Sequence, residues 1–170
     1  MGKEWYERLA APFRGNKRRT AALKYTNRII TYGMYALYIV YSNYLAFSRQ
    51  WYEFWVVMLT AGLGFAAVTL WRHLVNVPRR FEVWEDEPLL GRHREGHSFP
   101  SRHVFSAAII ALSVGWLYPW LGVAVGVLAL VLAAVRVIGG VHYLRDVLVG
   151  IAFALLVGGI GFWLVPHLFF

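Results

Sequence analysis

No cysteine occurs among the 170 residues, which excludes disulfides, thiolate metal ligands and a catalytic thiol. Acidic side chains are scarce too: nine Asp and Glu stand against 17 Lys and Arg, a formal charge of +8. What the chain has least of is polarity, with 59% hydrophobic residues, 17% aromatics and a mean hydropathy of +0.50. A soluble domain of this length cannot hide that much apolar surface. The chain therefore reads as an integral membrane protein, and its positive charge is matched to anionic head groups and phosphorylated lipids, with no nucleic-acid partner expected. No small-residue cleavage pattern precedes the first apolar run, so that run is expected to be a retained anchor. There is no internal repeat.

What is present begins with a basic leader. Residues 1–28 hold eight Lys or Arg against Glu4 and Glu7, interleaved with Trp5, Tyr6, Leu9 and Phe13. That pattern predicts an interfacial amphipathic helix broken near Pro12, and a solvated basic tail fits the pattern as well. Residues 29–170 form the second unit, a transmembrane domain. Charge-free runs at Ile29–Ser48 and Phe54–Trp71 each approach the ~20 residues needed to cross a bilayer, and their short connection predicts antiparallel neighbours. The 32 uncharged residues from Val104 to Val135 would reach about 48 Å as one helix, so they must turn, and Pro119 among Trp116, Tyr118 and Trp120 marks the place. That makes spans near 103–118 and 120–138, and Val147–Val165 supplies another. The expected fold class is all-α: a polytopic transmembrane bundle of about five spans with an N-terminal interfacial helix.

Between spans two and three lies the one extended polar segment, residues 72–103, and a loop this long is more often functional than idle. It starts with Arg72-x6-Arg79-Arg80 and ends with Pro100-Ser101-Arg102-His103. After span four come Arg136, the pair Gly139-Gly140, His142 and Asp146. Alternating crossings bring all of these to one membrane surface, and of the 17 Lys and Arg only Arg49 falls on the opposite one. Ionisable residues at such boundaries are costly unless they function.

The chemistry they permit is that of phosphate. A phosphomonoester carries up to two negative charges, and the planar fork of Arg matches its oxygens. Arg72, Arg79 and Arg136 are the candidate binders, with the Ser101 hydroxyl and, if Pro100 opens span three, the free N–H groups of its first turn. Any one of these arginines would equally serve by snorkelling to head groups. On a helix, His142 and Asp146 at i and i+4 would share a face, the carboxylate holding Nδ1–H and leaving Nε2 free as a nucleophile. Gly139-Gly140 would let the chain bend just before them. His103 can protonate the departing oxygen. The same His and Asp residues would also suit zinc, and Glu82, Glu85, Asp86 and Glu87 would suit Mg²⁺, but the crowd of arginines argues against a cation, and no metal or other cofactor is expected. His73, His93, His97 and His167 have no assigned role.

These motifs resemble the type 2 phosphatidic acid phosphatase superfamily, whose pattern is Lys-x6-Arg-Pro, then Pro-Ser-Gly-His, then Ser-Arg-x5-His-x3-Asp. Arg72-x6-Arg79-Arg80 matches the first with Arg for Lys and Arg80 for Pro. Pro100-Ser101-Arg102-His103 matches the second with Arg102 for Gly, and Val135-Arg136-x5-His142-x3-Asp146 the third with Val135 for Ser. The resemblance covers about residues 54–165. It implies the fold shared with vanadium haloperoxidases, His142 as phosphohistidine-forming nucleophile, Asp146 as its orienter, His103 as acid, and Arg72, Arg79, Ser101, Arg102 and Arg136 around the phosphate. It also implies metal-independent hydrolysis of a lipid phosphate or diphosphate, such as polyprenyl diphosphate, phosphatidic acid or phosphatidylglycerophosphate. Phosphotransfer through the same intermediate and non-catalytic binding of anionic lipids are the rival readings. The expected location is a bacterial cell membrane with the site on the extracytoplasmic face, as the family places it, although positive-inside counting of the leader points to the cytoplasm.

Overall fold

The structure is a computed structural model, and it describes residues 2–91 and 96–165. His93 and His167 fall outside the described residues. Those described form helices without a strand: α1 (Lys3–Ala10), α2 (Lys17–Phe47), α3 (Trp51–Val75), α4 (Arg80–Trp84), α5 (Arg102–Leu117), α6 (Pro119–Ile138) and α7 (Leu144–Gly158), the last running on into a π-helical turn, Gly159–Leu164.

Local signals account for most boundaries. α1 stops at Ala10, two residues short of Pro12, and the turn that follows uses Gly15 at a φ of 78°. Asn16 then caps α2, its Oδ1 accepting the Arg19 N–H at 3.1 Å, the usual role of Asn there. From that cap α2 continues through Arg28 and Ile29 without a break, because nothing in the sequence there interrupts a helix. α5 and α6 part at Tyr118, and Pro119 is the first residue of α6, where its missing N–H costs nothing. α6 ends at Ile138 with Gly139 as its C-cap, and Gly140 has a φ of 86°, the left-handed conformation that turns the chain out of a helix.

α5 is the central element, packed against α2, α3, α6 and α7. Nine of its 16 residues are buried, so it meets protein more than lipid. One core joins Tyr41 and Leu45 of α2, Val57 and Val68 of α3, Phe105 and Ile109 of α5, Ala154 of α7 and Phe162 of the π turn. Outward, α3 and α6 expose residues such as Trp55, Leu63, Leu70, Val123 and Leu130, a surface that acyl chains solvate and water would not.

By length and composition together, three segments among the described residues qualify to cross a membrane: the one that α3 opens, α6, and α7 with its π turn. α5 is short for a span, and the 31 residues of α2 include six tyrosines that lower its hydropathy. An absence of charge registers neither shortness nor tyrosine.

The leader is not a free tail. α1 lies against α6, with Tyr6 buried and its hydroxyl accepting the Leu144 N–H at 3.0 Å.

Candidate active site

At the α1 end of the bundle the chain gathers its buried charge. Arg72, Arg79 and Arg136 are 7%, 8% and 3% exposed, and the carboxylate of Asp146 is fully enclosed. Three guanidiniums around one carboxylate leave a local excess of positive charge that is stable only with an anion or water to solvate it. Arg79 Nη1 and Arg136 Nε are buried with no hydrogen-bond partner among the described residues, which leaves both N–H groups open to an anion or to water.

His142 and Asp146 form the centre. His142 Nδ1 stands 3.4 Å from Asp146 Oδ2, a loose contact beside the ~2.7–3.2 Å of a good hydrogen bond. The same oxygen accepts the Ser98 hydroxyl at 2.7 Å and the Tyr143 backbone N–H at 3.1 Å, so its position is set from three sides. Burial holds the imidazole of His142 below its ordinary value of 6.5, and the guanidiniums of Arg136 and Arg79 act in the same direction against the pull of Asp146. The ring is therefore neutral at neutral pH, with its lone pair available.

The 98–101 segment is fastened at each end. Arg72 Nη1 donates to the Ser98 carbonyl at 3.2 Å and also to the Pro100 carbonyl, and Ser101 N–H donates to the Asp146 carbonyl at 2.8 Å. Across from them Arg136 Nη2 lies 3.2 Å from His103 Nδ1, and Arg136 Nη1 donates to Asn27 Oδ1 at 3.4 Å. One chain of contacts thus links α3, the 72–103 loop, α5, α6, α7 and α2.

The sequence profile of the PAP2 superfamily matches residues 53–169. The chain belongs to the PAP2 superfamily. Similar folds include the crystal structure of LpxE from Aquifex aeolicus, with a TM-score of 0.73 at 20% identity over 93% of this chain and 92% of that one. A transmembrane PAP2-type phosphatidylglycerolphosphate phosphatase from Bacillus subtilis aligns with a TM-score of 0.59 at 21% identity, over 96% of this chain and 92% of that one. No curated protein sequence matches. At these identities the structural likeness speaks to the fold, and the PAP2 membership supports a phosphatase acting at a membrane.

The PAP2 residues sit at one end, but not each as expected. His142 precedes α7 instead of lying on it, with Tyr143 as N-cap and Asp146 in the first turn; the i, i+4 pair meets because the carboxylate turns back toward the cap. α5 opens at Arg102 with Ser101 as its N-cap, two residues later than a start at Pro100 would give, and the Ser101 N–H is already used by Asp146. The Ser101 hydroxyl is buried without a partner among the described residues. The Arg102 guanidinium lies 5.3 Å from the centre of the Phe65 ring, and its charge still acts on Arg72 and Arg79. Arg80, the departure from Pro in the first PAP2 motif, is buried, donates to the Val137 carbonyl at 3.0 Å and lies 5.0 Å from the centre of the Tyr6 ring. It fastens the loop to α6 and α1. No three His, Asp or Glu side chains gather among the described residues as ion ligands would.

Two site residues escape sequence reasoning. Ser98 is one serine in a polar loop, and Asn27 is one polar residue in a basic leader; neither spacing nor composition marks them, because the partners of each lie 44 or more positions away.

Proposed function

We propose that this PAP2 protein is a phosphatase of membrane lipids, cleaving a lipid phosphate or diphosphate through a phosphohistidine at His142. The observation that carries this is the enclosed His142–Asp146–Ser98 constellation facing buried arginines, two of whose nitrogens, Arg79 Nη1 and Arg136 Nε, lack partners among the described residues. Nε2 of His142 attacks phosphorus, and a P–N bond forms as the P–O bond to the lipid breaks. The departing oxygen keeps the electron pair and takes a proton from His103. Asp146 offsets the charge that develops on the imidazole, while Arg72, Arg79, Arg136 and Ser101 hold the phosphoryl oxygens. Arg102 borders the site at the Phe65 side, within reach of a head group. Water then gives a proton to His103 and attacks phosphorus, which releases inorganic phosphate and restores His142. Every group this needs is supplied by the chain, without a metal. In this reading the site faces the extracytoplasmic side, as the PAP2 resemblance implies, of a bacterial cell membrane, bacteria being the source of both similar structures.

Purified protein in nonionic detergent with EDTA should release phosphate from a lipid phosphate. His142→Ala should lower kcat by at least about 10³-fold, and single turnovers of the active protein should leave an acid-labile, base-stable phosphoprotein. Loss of activity in EDTA that added divalent metal restores would overturn the metal-independent mechanism. Undiminished turnover by H142A would overturn the assignment of the nucleophile.

A further inference from the structure

A cavity of about 550 Å³ opens beside Arg136 and His103, within the ~300–1,000 Å³ typical of small-molecule sites. Its other wall is the N-terminal third of α2, which contributes Lys24, Asn27, Arg28 and Thr31. These four share one helix face by their spacing, and they precede residue 53, where the PAP2 match begins. Among the described residues no carboxylate lines the cavity. Arg136 Nε and the Thr31 hydroxyl are buried there without a partner among the described residues.

Lys24 and Arg28 are exposed, Arg136 is buried, and all three line the same space. The transferred phosphoryl group is already provided for by Arg72, Arg79 and Arg136. The additional cations stand on the His103 side, and an in-line displacement puts the leaving group opposite the nucleophile, so they flank whatever departs. An alkoxide would need a proton there and no fixed charge; a departing phosphate needs the charge.

We propose that Lys24, Arg28, Asn27 and Thr31 form a second anion subsite that receives the inner phosphate of a lipid diphosphate, so that the cavity selects diphosphate over monophosphate esters. This rests on the reading of His142 as nucleophile and His103 as acid. Asn27 has two tasks: its Oδ1 orients Arg136, and its amide nitrogen is available to the incoming oxygen. Because α2 runs unbroken from Lys17, the subsite is carried rigidly on a bundle helix.

The test uses two substrates with one tail, farnesyl diphosphate and farnesyl monophosphate, in nonionic detergent micelles that carry no lipid charge. For the unaltered protein, kcat/KM should favour the diphosphate. The Lys24→Gln, Arg28→Gln double variant should lower the diphosphate-to-monophosphate ratio by about tenfold or more, the effect of removing two charge-assisted contacts. Inorganic pyrophosphate should compete better than orthophosphate against the unaltered protein, and that advantage should shrink in the variant. Equal losses on both substrates would show general attraction of anions and overturn the subsite, as would an unchanged ratio. Hydrolysis of neither ester by the unaltered protein would instead count against the phosphatase reading itself. Both substituted side chains are exposed, so the variant should fold, and a matching melting temperature verifies it.

Discussion

Ser98 donates its hydroxyl proton to the same carboxylate oxygen that faces His142, and its Oγ also lies 3.4 Å from Nδ1 of that ring. It touches neither the phosphate nor the departing oxygen, so its part is to position. With the hydroxyl removed, Asp146 Oδ2 keeps only the Tyr143 N–H and the loose His142 contact, and the imidazole gains freedom to turn. Ser98→Ala should therefore lower kcat by roughly 10- to 100-fold, the price of about 1–3 kcal/mol for a missing partner at a buried charge, with KM within about twofold. Ser98→Thr, which keeps the hydroxyl, should recover most of the rate. Steady-state kinetics on one lipid phosphate would separate this from a binding role, which would raise KM. At this scale the sequence exposes the groups proposed to do chemistry, since His142, Asp146, His103 and the arginines stand out as ionisable residues beside apolar runs. It conceals the groups that hold them, because a hydroxyl or an amide has no signature until its distant partner is known.

Among the elements, the turn between α6 and α7 matters most, since it carries His142. Gly140 sits there at a φ of 86°, and a Cβ would come 2.8 Å from Arg80 Nη2 and 3.1 Å from Pro88 Cα. Gly140→Ala would meet both backbone strain and collision, at about 1–3 kcal/mol, and because Arg80 braces α1 and α6 the displacement would reach the His142 loop. The variant should melt several degrees lower, given roughly 2–4 °C per kcal/mol for a chain of this size, and turn over more slowly. Gly33→Ala, in α2 where a new methyl meets nothing within 4 Å, should do neither, and thermal unfolding in detergent compares the pair. A second close approach lies along α7, where a Cβ on Gly150 would stand 2.9 Å from the Ser101 carbonyl, so α5 and α7 can hold their site residues together only with glycine at that position. Helix boundaries were legible where proline intervened, as at Pro119, but α3 runs through Arg72 to Val75 although the charge-free stretch stops at Trp71. They were not legible at Arg28, where the charge changes and the helix does not, nor at His142, where helical spacing is satisfied by a carboxylate folding back over its cap.

For the whole molecule, the site gathers α1, the 72–103 loop and the starts of α2, α5 and α7 at one end. At the other end lie Arg49, in the α2–α3 turn, and the α5–α6 turn, joined to α2 by the Tyr118 hydroxyl donating to that of Tyr44 at 3.4 Å. Aromatic side chains crowd this second end: Phe47, Trp51, Trp55 and Trp120 are all exposed, as expected of residues seated at a membrane interface. The absence of cysteine makes sidedness simple to measure. In intact cells an impermeant maleimide should label Gly2→Cys and spare Arg49→Cys if the site faces outward, and the opposite pattern would place it in the cytoplasm as the basic leader alone would have it.

The brevity of α5 has a consequence for how the lipid is met. Sixteen residues span about 24 Å, against the roughly 30 Å of an average hydrocarbon slab. With Tyr118 at one boundary, His103 comes to rest several ångströms beneath the other. Water for the proposed hydrolysis would then have to reach below the head groups, and the greasy anchor would stay at its own depth while the bond that tethers its phosphate is cut.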